Sequence, residues 1–156
     1  MRILHASPGF GGALSEEQTI DFLTKSCRTL VLGTVDVLGH VNMHPVWYVY
    51  DNYRMYVETG KESLKVRNMR SNSSAYYCID DDDPTKPYVG VRGKATTHII
   101  EDIDIIRPMT IRIVTKYTGG TDNKIAKFIL DGVNDGGSVL VEISPSYYST
   151  WDHSTV

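Results

Sequence analysis

Strand-like alternation dominates the first half of the chain. The runs RTLVLGTVDV (28–37) and HVNMHPVWYVY (40–50) are rich in β-branched and aromatic residues, with a turn-like Leu38-Gly39-His40 between them. Asp51-Asn52 makes a second tight connection into RMYVE (54–58), so three consecutive strands are expected as an antiparallel meander. AYYCID (75–80) and the long YVGVRGKATTHII (88–100) read as a fourth and a fifth strand. SVLVEI (138–143) reads as a sixth, ended by Pro145 and followed by the aromatic tail SYYSTWD.

Helical spacing appears elsewhere. Ser15-Glu16-Glu17-Gln18 has capping-box form, and Ile20, Leu23 and Cys27 follow at helical intervals. A short helix is predicted over 61–70 and another over 101–118, with Pro108 as a restart or first-turn proline rather than an interior one. A further helix over 123–134 places Ile125, Ile129 and Val133 on one face. The expected fold is mainly β (α+β): a six-stranded antiparallel split barrel with peripheral helices, one domain over 1–156. Residues 1–14 are expected as a flexible leader. Its PGFGG has no strand before it, which argues against a phosphate loop.

A period of two divides HVNMHPVWYVY into two faces. Val41, Met43, Pro45, Trp47 and Val49 form an apolar face suited to barrel core. Asn42, His44, Val46, Tyr48 and Tyr50 form an aromatic face with polar tips, suited to an interface or a flat ligand. Pro45 removes a ladder donor, so the strand is expected to lie at an edge or to be irregular there.

Composition narrows the function. The chain has 156 residues, 41% hydrophobic and 22% charged, with a net charge of −3. It lacks the basic excess of a general nucleic-acid binder. No run is long enough to cross a membrane and no signal peptide is visible, so a cytoplasmic protein is expected. Cys27 and Cys78 read as free, buried thiols. The acidic DDDDPTKP loop lacks the alternating ligand spacing of a calcium site and reads as a solvated turn. His40 and His44 resemble a zinc pair, but four residues of strand separate them by roughly 13 Å. No metal site and no nucleophilic triad is expected.

The most chemical stretch is TGKESLKVRN, 59–68. Thr59-Gly60-Lys61-Glu62 has capping-box form, so a capped surface helix explains it. Spacing alone favours that reading over its rival, a phosphate seat, in which a helix N-terminus offers unpaired N–H groups, Thr59 and Ser63 add hydroxyls, and Lys65 adds a charge. On a regular helix Ser63 and Lys65 point roughly 200° apart, so sharing one phosphate requires an irregular first turn.

The order of these parts resembles the pyridoxamine 5′-phosphate oxidase-like family of FMN-binding split barrels, over about Ser15 to Asp152. The resemblance is carried by HPVWYVYDNYRMYVETGKESLKVRNMR, then DDDDP, VGVRGKAT, KYTGG and ISPSYYSTWD. It implies a homodimer with cofactor sites at the interface. The family's phosphate-binding positions match Thr59, Ser63 and Lys65, with Glu58 in the same run. The strand along the isoalloxazine ring matches His44, Pro45, Val46, Trp47 and Tyr48. Tyr88 matches a position flanking the ring, and Trp151 the aromatic that closes the site from the partner chain. Pyridoxamine phosphate oxidases carry an arginine where this chain has Leu64, and a basic tail where it has STWDHSTV. Those departures speak against vitamin B6 oxidation.

The resemblance therefore implies an FMN-dependent oxidoreductase that transfers a hydride to or from a small organic substrate, with His44 and Tyr48 nearest the reactive ring. The protein's share of such chemistry is to hold the ring, tune it and exclude water. Two alternatives stay open. One is a reductase using the deazaflavin coenzyme F-420, its anionic tail following Lys61, Arg67 and Arg70. The other is a flavin-binding protein without turnover.

Overall fold

The structure is a computed structural model and describes residues 1–154 and 156. Its strands are β1 (Ile3–His5), β2 (Leu30–Val35), β3 (Val41–Val46), β4 (Val49–Asp51), β5 (Arg54–Gly60), β6 (Ser74–Asp81), β7 (Val89–Ile100), β8 (Ser138–Pro145) and β9 (Tyr148–Asp152). The helices are α1 (Glu16–Lys25), α2 (Leu64–Ser71), α3 (Ile103–Thr118) and α4 (Lys124–Asn134). The sheet runs β3-β2-β6-β7-β8-β5-β4. Its two outer strands, β3 and β4, are separated in sequence only by Trp47 and Tyr48. Such a short link reaches only about 10 Å, so the sheet must curl until its two edges nearly meet. That is a split barrel, mostly antiparallel, as expected.

Four features of the sheet and its N-terminal lead-in differ from the sequence reading. The expected meander is instead two hairpins at opposite edges, β2–β3 and β4–β5, because HVNMHPVWYVY breaks at Trp47-Tyr48. The predicted face assignment is reversed along β3: Val41 is 67% exposed and Met43 59%, while Asn42, His44 and Val46 are half-buried. As an edge strand β3 turns one side to solvent, and Pro45 fits there because the edge asks no ladder donor of it. The leader is structured: β1 pairs in parallel with β9, and Gly12 bridges Asp152. The strands outnumber the six predicted because β1, the separate β4 and the aromatic tail β9 all join the sheet.

β9 continues β8 along one edge of β7. The pairing Ala95↔Pro145 gives way to Arg92↔Ser149, a slip of one residue that marks a bulge at Ser146-Tyr147. Tyr77 Oη donates to the Tyr147 carbonyl at 2.9 Å, and Gly93 makes the approach possible, since a Cβ there would lie 2.3 Å from that carbonyl oxygen. At the β4–β5 turn Asn52 and Tyr53 both take positive φ, as a two-residue hairpin of this twist requires. Tyr148 Oη fixes that turn by donating to the Tyr53 carbonyl at 2.9 Å.

α1 forms as predicted, its capping box closed between Ser15 and Gln18. α3 is continuous through Pro108, which is interior after all; Pro108 provides no N–H for the Asp104 carbonyl one turn back. On α4 the buried positions are Ala126 and Val133, whereas Ile125 is exposed. Cys27 lies past the C-cap of α1 and is exposed, and Cys78 is only half-buried, so neither thiol is the buried residue expected. One core cluster fills the barrel around Leu32, Tyr48, Val57, Tyr77 and Val141; a second, around Val49, Ile106, Ile113 and Leu140, seats α3 on the sheet.

Candidate functional site

The end of β5 and the start of α2 bring the polar residues of TGKESLKVRN together. Thr59 is the penultimate residue of β5 and lies opposite Val139 of β8. The predicted Thr59 capping box does not form, because the strand continues through Gly60 and the helix begins only after Ser63. Ser63 is the N-cap, with extended φ −67° and ψ 154°. It therefore stands outside the helical twist, and the angular objection to Ser63 and Lys65 acting together falls away. Lys65 Nζ donates to Thr59 Oγ1 at 3.0 Å. Ser63 Oγ caps nothing; it is buried and has no hydrogen-bond partner.

Charge around this seat is balanced by burial. Burial lowers the affinity of the Lys65 amine for its proton, and Glu58 partly restores it. Burial likewise raises the Glu58 carboxyl above its ordinary range, with Ser138 and Lys65 acting against the rise. His44, on the half-buried side of β3, is lowered by burial first and by the Lys65 charge second. Asn68 Nδ2 donates to Thr34 Oγ1 at 3.0 Å, and Thr34 Oγ1 lies 3.2 Å from His44 Nε2. Thr34 thus has its own proton available for the neutral imidazole. His44, Glu58 and Lys65 form one electrostatic group, with Thr59 and Ser63 as hydroxyl neighbours.

Two adjoining grooves open here and share Glu58 and Ile129. The first, about 470 Å³, is lined by Pro45, Val46, Trp47 and Ile113. The second, about 500 Å³, reaches Thr59, Gly60 and Phe128. Trp47 stacks on Tyr117 with 4.9 Å between centroids and 2° between planes, giving the first groove a rigid aromatic wall.

Three predicted site residues fall elsewhere. Tyr48 is fully buried, lines neither groove, and has Lys116 Nζ 3.9 Å from its ring centroid. It follows the break in the strand, so its side chain leaves the face it was assigned. Tyr88 and Trp151 lie together, centroids 5.6 Å apart, in a separate pocket. Sequence reading missed Thr34, Ile113, Ile129 and Arg92. Asn68 closes the stretch TGKESLKVRN, but its partner Thr34 was not visible, because that pairing depends on α2 packing over β2. Among the described residues no three histidine, cysteine or acidic side chains converge as a metal site. Among the same described residues, no helix is long and apolar enough to cross a membrane.

The sequence model of the pyridoxamine 5′-phosphate oxidase family matches residues 16–152, and the chain belongs to that family. No curated protein matches the chain significantly. Among solved structures, a conserved hypothetical protein from Mycobacterium tuberculosis is 24% identical, with 90% of this chain and 86% of that chain covered and a TM-score of 0.78. An F-420 reductase is 19% identical over 83% of this chain and 94% of its own, TM-score 0.62. An FAD-binding protein from Mesorhizobium loti is 16% identical over 92% and 98%, TM-score 0.67. At these identities the likeness is one of fold.

Proposed function

We propose that the protein binds FMN and works as a flavin-dependent oxidoreductase on a small organic substrate. The observation that carries this reading is Ser63: a buried hydroxyl without a partner, at the N-terminus of α2 and in one short segment with the Thr59–Lys65 hydrogen bond. A phosphate monoester supplies the acceptors and the negative charge that this donor set requires. The fit extends to the ring, because the groove along Pro45, Val46 and Trp47 is flat-walled and largely apolar. Bound FMN supplies hydride chemistry. Thr59, Ser63 and Lys65 would hold its phosphate, and His44, Pro45, Val46 and Trp47 would line the ring. Glu58 sets the charge beneath them.

A homodimer belongs to the same reading. Tyr88 and Trp151 lie in a pocket apart from the seat, so within one chain the predicted set is divided. A second copy could present its Tyr88 and Trp151 to the open groove and cover the exposed Val41 and Met43. FMN is favoured over the deazaflavin by the state of the neighbouring cations. Lys61 and Arg70 both engage Glu101, which leaves Arg67 as the cation for a longer anionic tail.

The test is the absorption spectrum of the purified protein, with mass spectrometry of whatever heat releases. A flavin spectrum and an FMN mass support the reading. A colourless protein is titrated with FMN and with coenzyme F-420; tight binding of F-420 alone replaces the cofactor, and binding of neither sinks the reading. Failure of a nicotinamide donor to reduce bound FMN would favour a flavin carrier without turnover.

A further inference from the structure

A pocket of about 210 Å³ opens where β7, β9 and the N-terminal segment meet, lined by Ser7, Cys78, Tyr88, Arg92, Trp151 and His153. Two glycines shape it. The Trp151 indole lies against Gly90, where a Cβ would fall 2.1 Å from indole Cζ2. His153 lies against Gly11, where a Cβ would come within 2.9 Å of His153 Cδ2. Tyr88 packs on both rings, at 5.6 Å from Trp151 and 5.4 Å from His153.

The pocket is short of acceptors. Trp151 is 7% exposed, yet its Nε1 has no hydrogen-bond partner, and the buried His153 Nε2 has none either. An indole N–H can only donate, and leaving a buried donor unfilled costs about 1–3 kcal/mol. The Arg92 guanidinium carbon stands 6.0 Å from the Trp151 ring centroid. Burial pushes the Cys78 thiol up, with Asp80 adding to the effect, so Cys78 lines the pocket as a neutral group. Asp80, the neighbouring carboxylate, accepts from Tyr88 Oη at 3.2 Å. The lining is therefore two unfilled nitrogens, one guanidinium and aromatic walls.

We propose that this pocket binds a compact planar carboxylate, its oxygens accepting from Trp151 Nε1 and His153 Nε2 and its charge facing Arg92. The volume is below the roughly 300–1,000 Å³ of sites for drug-sized ligands, which favours a single ring or a short chain. The binding site stands on one chain's own residues. Its role as the substrate site rests on the flavin reading above, in which a second copy brings Trp151 to the cofactor ring.

The test uses ¹⁵N-labelled full-length protein without added cofactor. The chain has 2 tryptophans, so two indole N–H resonances are expected, and Trp47→Phe or Trp151→Phe assigns them. Benzoate is the probe. The Trp151 resonance should move downfield and saturate, and Arg92→Gln should weaken benzoate binding roughly tenfold or more. Benzyl alcohol should leave the resonance in place. The proposal is overturned if benzoate moves neither indole, if benzyl alcohol or sulfate produces the same shift, or if Arg92→Gln leaves the affinity unchanged. It is also overturned if FMN moves the Trp151 resonance and benzoate does not, since the unfilled donors then belong to the cofactor. Saturable benzoate binding in a protein that binds no flavin upholds the pocket and removes the flavin reading alone.

Discussion

Lys65 and Lys116 are both partly buried in this fold, and their surroundings differ. Lys65 Nζ donates to Thr59 Oγ1 at 3.0 Å, feels the Glu58 carboxyl, and stands two residues from the unpartnered Ser63 hydroxyl. Lys116 Nζ sits 3.9 Å above the Tyr48 ring and 5.4 Å from the Tyr117 ring, and donates to the Leu23 carbonyl at 3.5 Å. Burial brings the Lys116 amine down to about 8, Cys27 acting weakly against it. A desolvated cation alone therefore does not mark a binding site. Lys116 is enclosed by aromatic faces and helps hold α3 to α1. Lys65 stands beside a buried hydroxyl without a partner, Ser63 Oγ, and that unmet need is what the proposed phosphate seat rests on.

The sharpest way to break this comparison is charge reversal at Lys65. Lys65→Glu should weaken FMN binding by roughly 100-fold or more, because a charge-assisted hydrogen bond is lost and a repulsion replaces it. The half-buried site should still fold, as judged by an unchanged circular dichroism spectrum. Stoichiometric FMN in the purified variant would remove Lys65 from the seat.

Ser63→Ala separates ligand from scaffold more finely. An unfilled buried hydroxyl costs the apo fold about 1–3 kcal/mol, so its removal should leave the cofactor-free protein as stable or more so. FMN affinity should fall roughly tenfold, the worth of one hydrogen bond to a charged group. A loss of apo stability would show that the hydroxyl serves the helix cap instead.

How much of this was legible in the sequence depends on how local each feature is. The residues of the proposed seat stood out because Thr59, Ser63 and Lys65 lie within seven residues, although the cap was expected at Thr59 and forms at Ser63. The reading failed at HVNMHPVWYVY, where a period of two was carried through a break that only the curled sheet explains. It assigned Val41, Met43 and Pro45 to the core when their strand is an edge, and it sent Tyr48 to the ligand when Tyr48 packs beneath Lys116. The Trp151 pocket was illegible for a related reason. It depends on the register Gly90↔Trp151, set by a bulge one residue long, and on a leader that looked too glycine-rich to pack.

Lys116→Met tests the other member of the pair. FMN affinity should stay within about twofold, while the lost cation–π contact, worth about 0.5–2 kcal/mol, lowers Tm by roughly 2–4 °C per kcal/mol for a chain of this size. Alkaline conditions should widen that gap. Between the folded value of about 8 and the ordinary 10.5, the unfolded chain holds a proton that the folded chain has released. Raising the pH through that window therefore stabilises the wild type relative to Lys116→Met. A gap independent of pH would mean that the amine is solvated.

The smallest effect expected is a shift in the titration of His44. Burial and then the Lys65 charge hold its imidazole below the ordinary 6.5. Its contribution to stability is thus present above 6.5 and is lost as the pH falls through the folded value, because the unfolded chain takes up the proton first. Lys65→Ala removes the second cause and leaves the first, so the His44 ring signal in NMR should titrate at a higher pH than in the wild type without reaching 6.5. Phosphate bound beside Lys65 should move it in the same direction by screening the ammonium. If neither change moves His44, the imidazole lies outside the field of the seat, and β3 loses its claim to the face of the flavin ring.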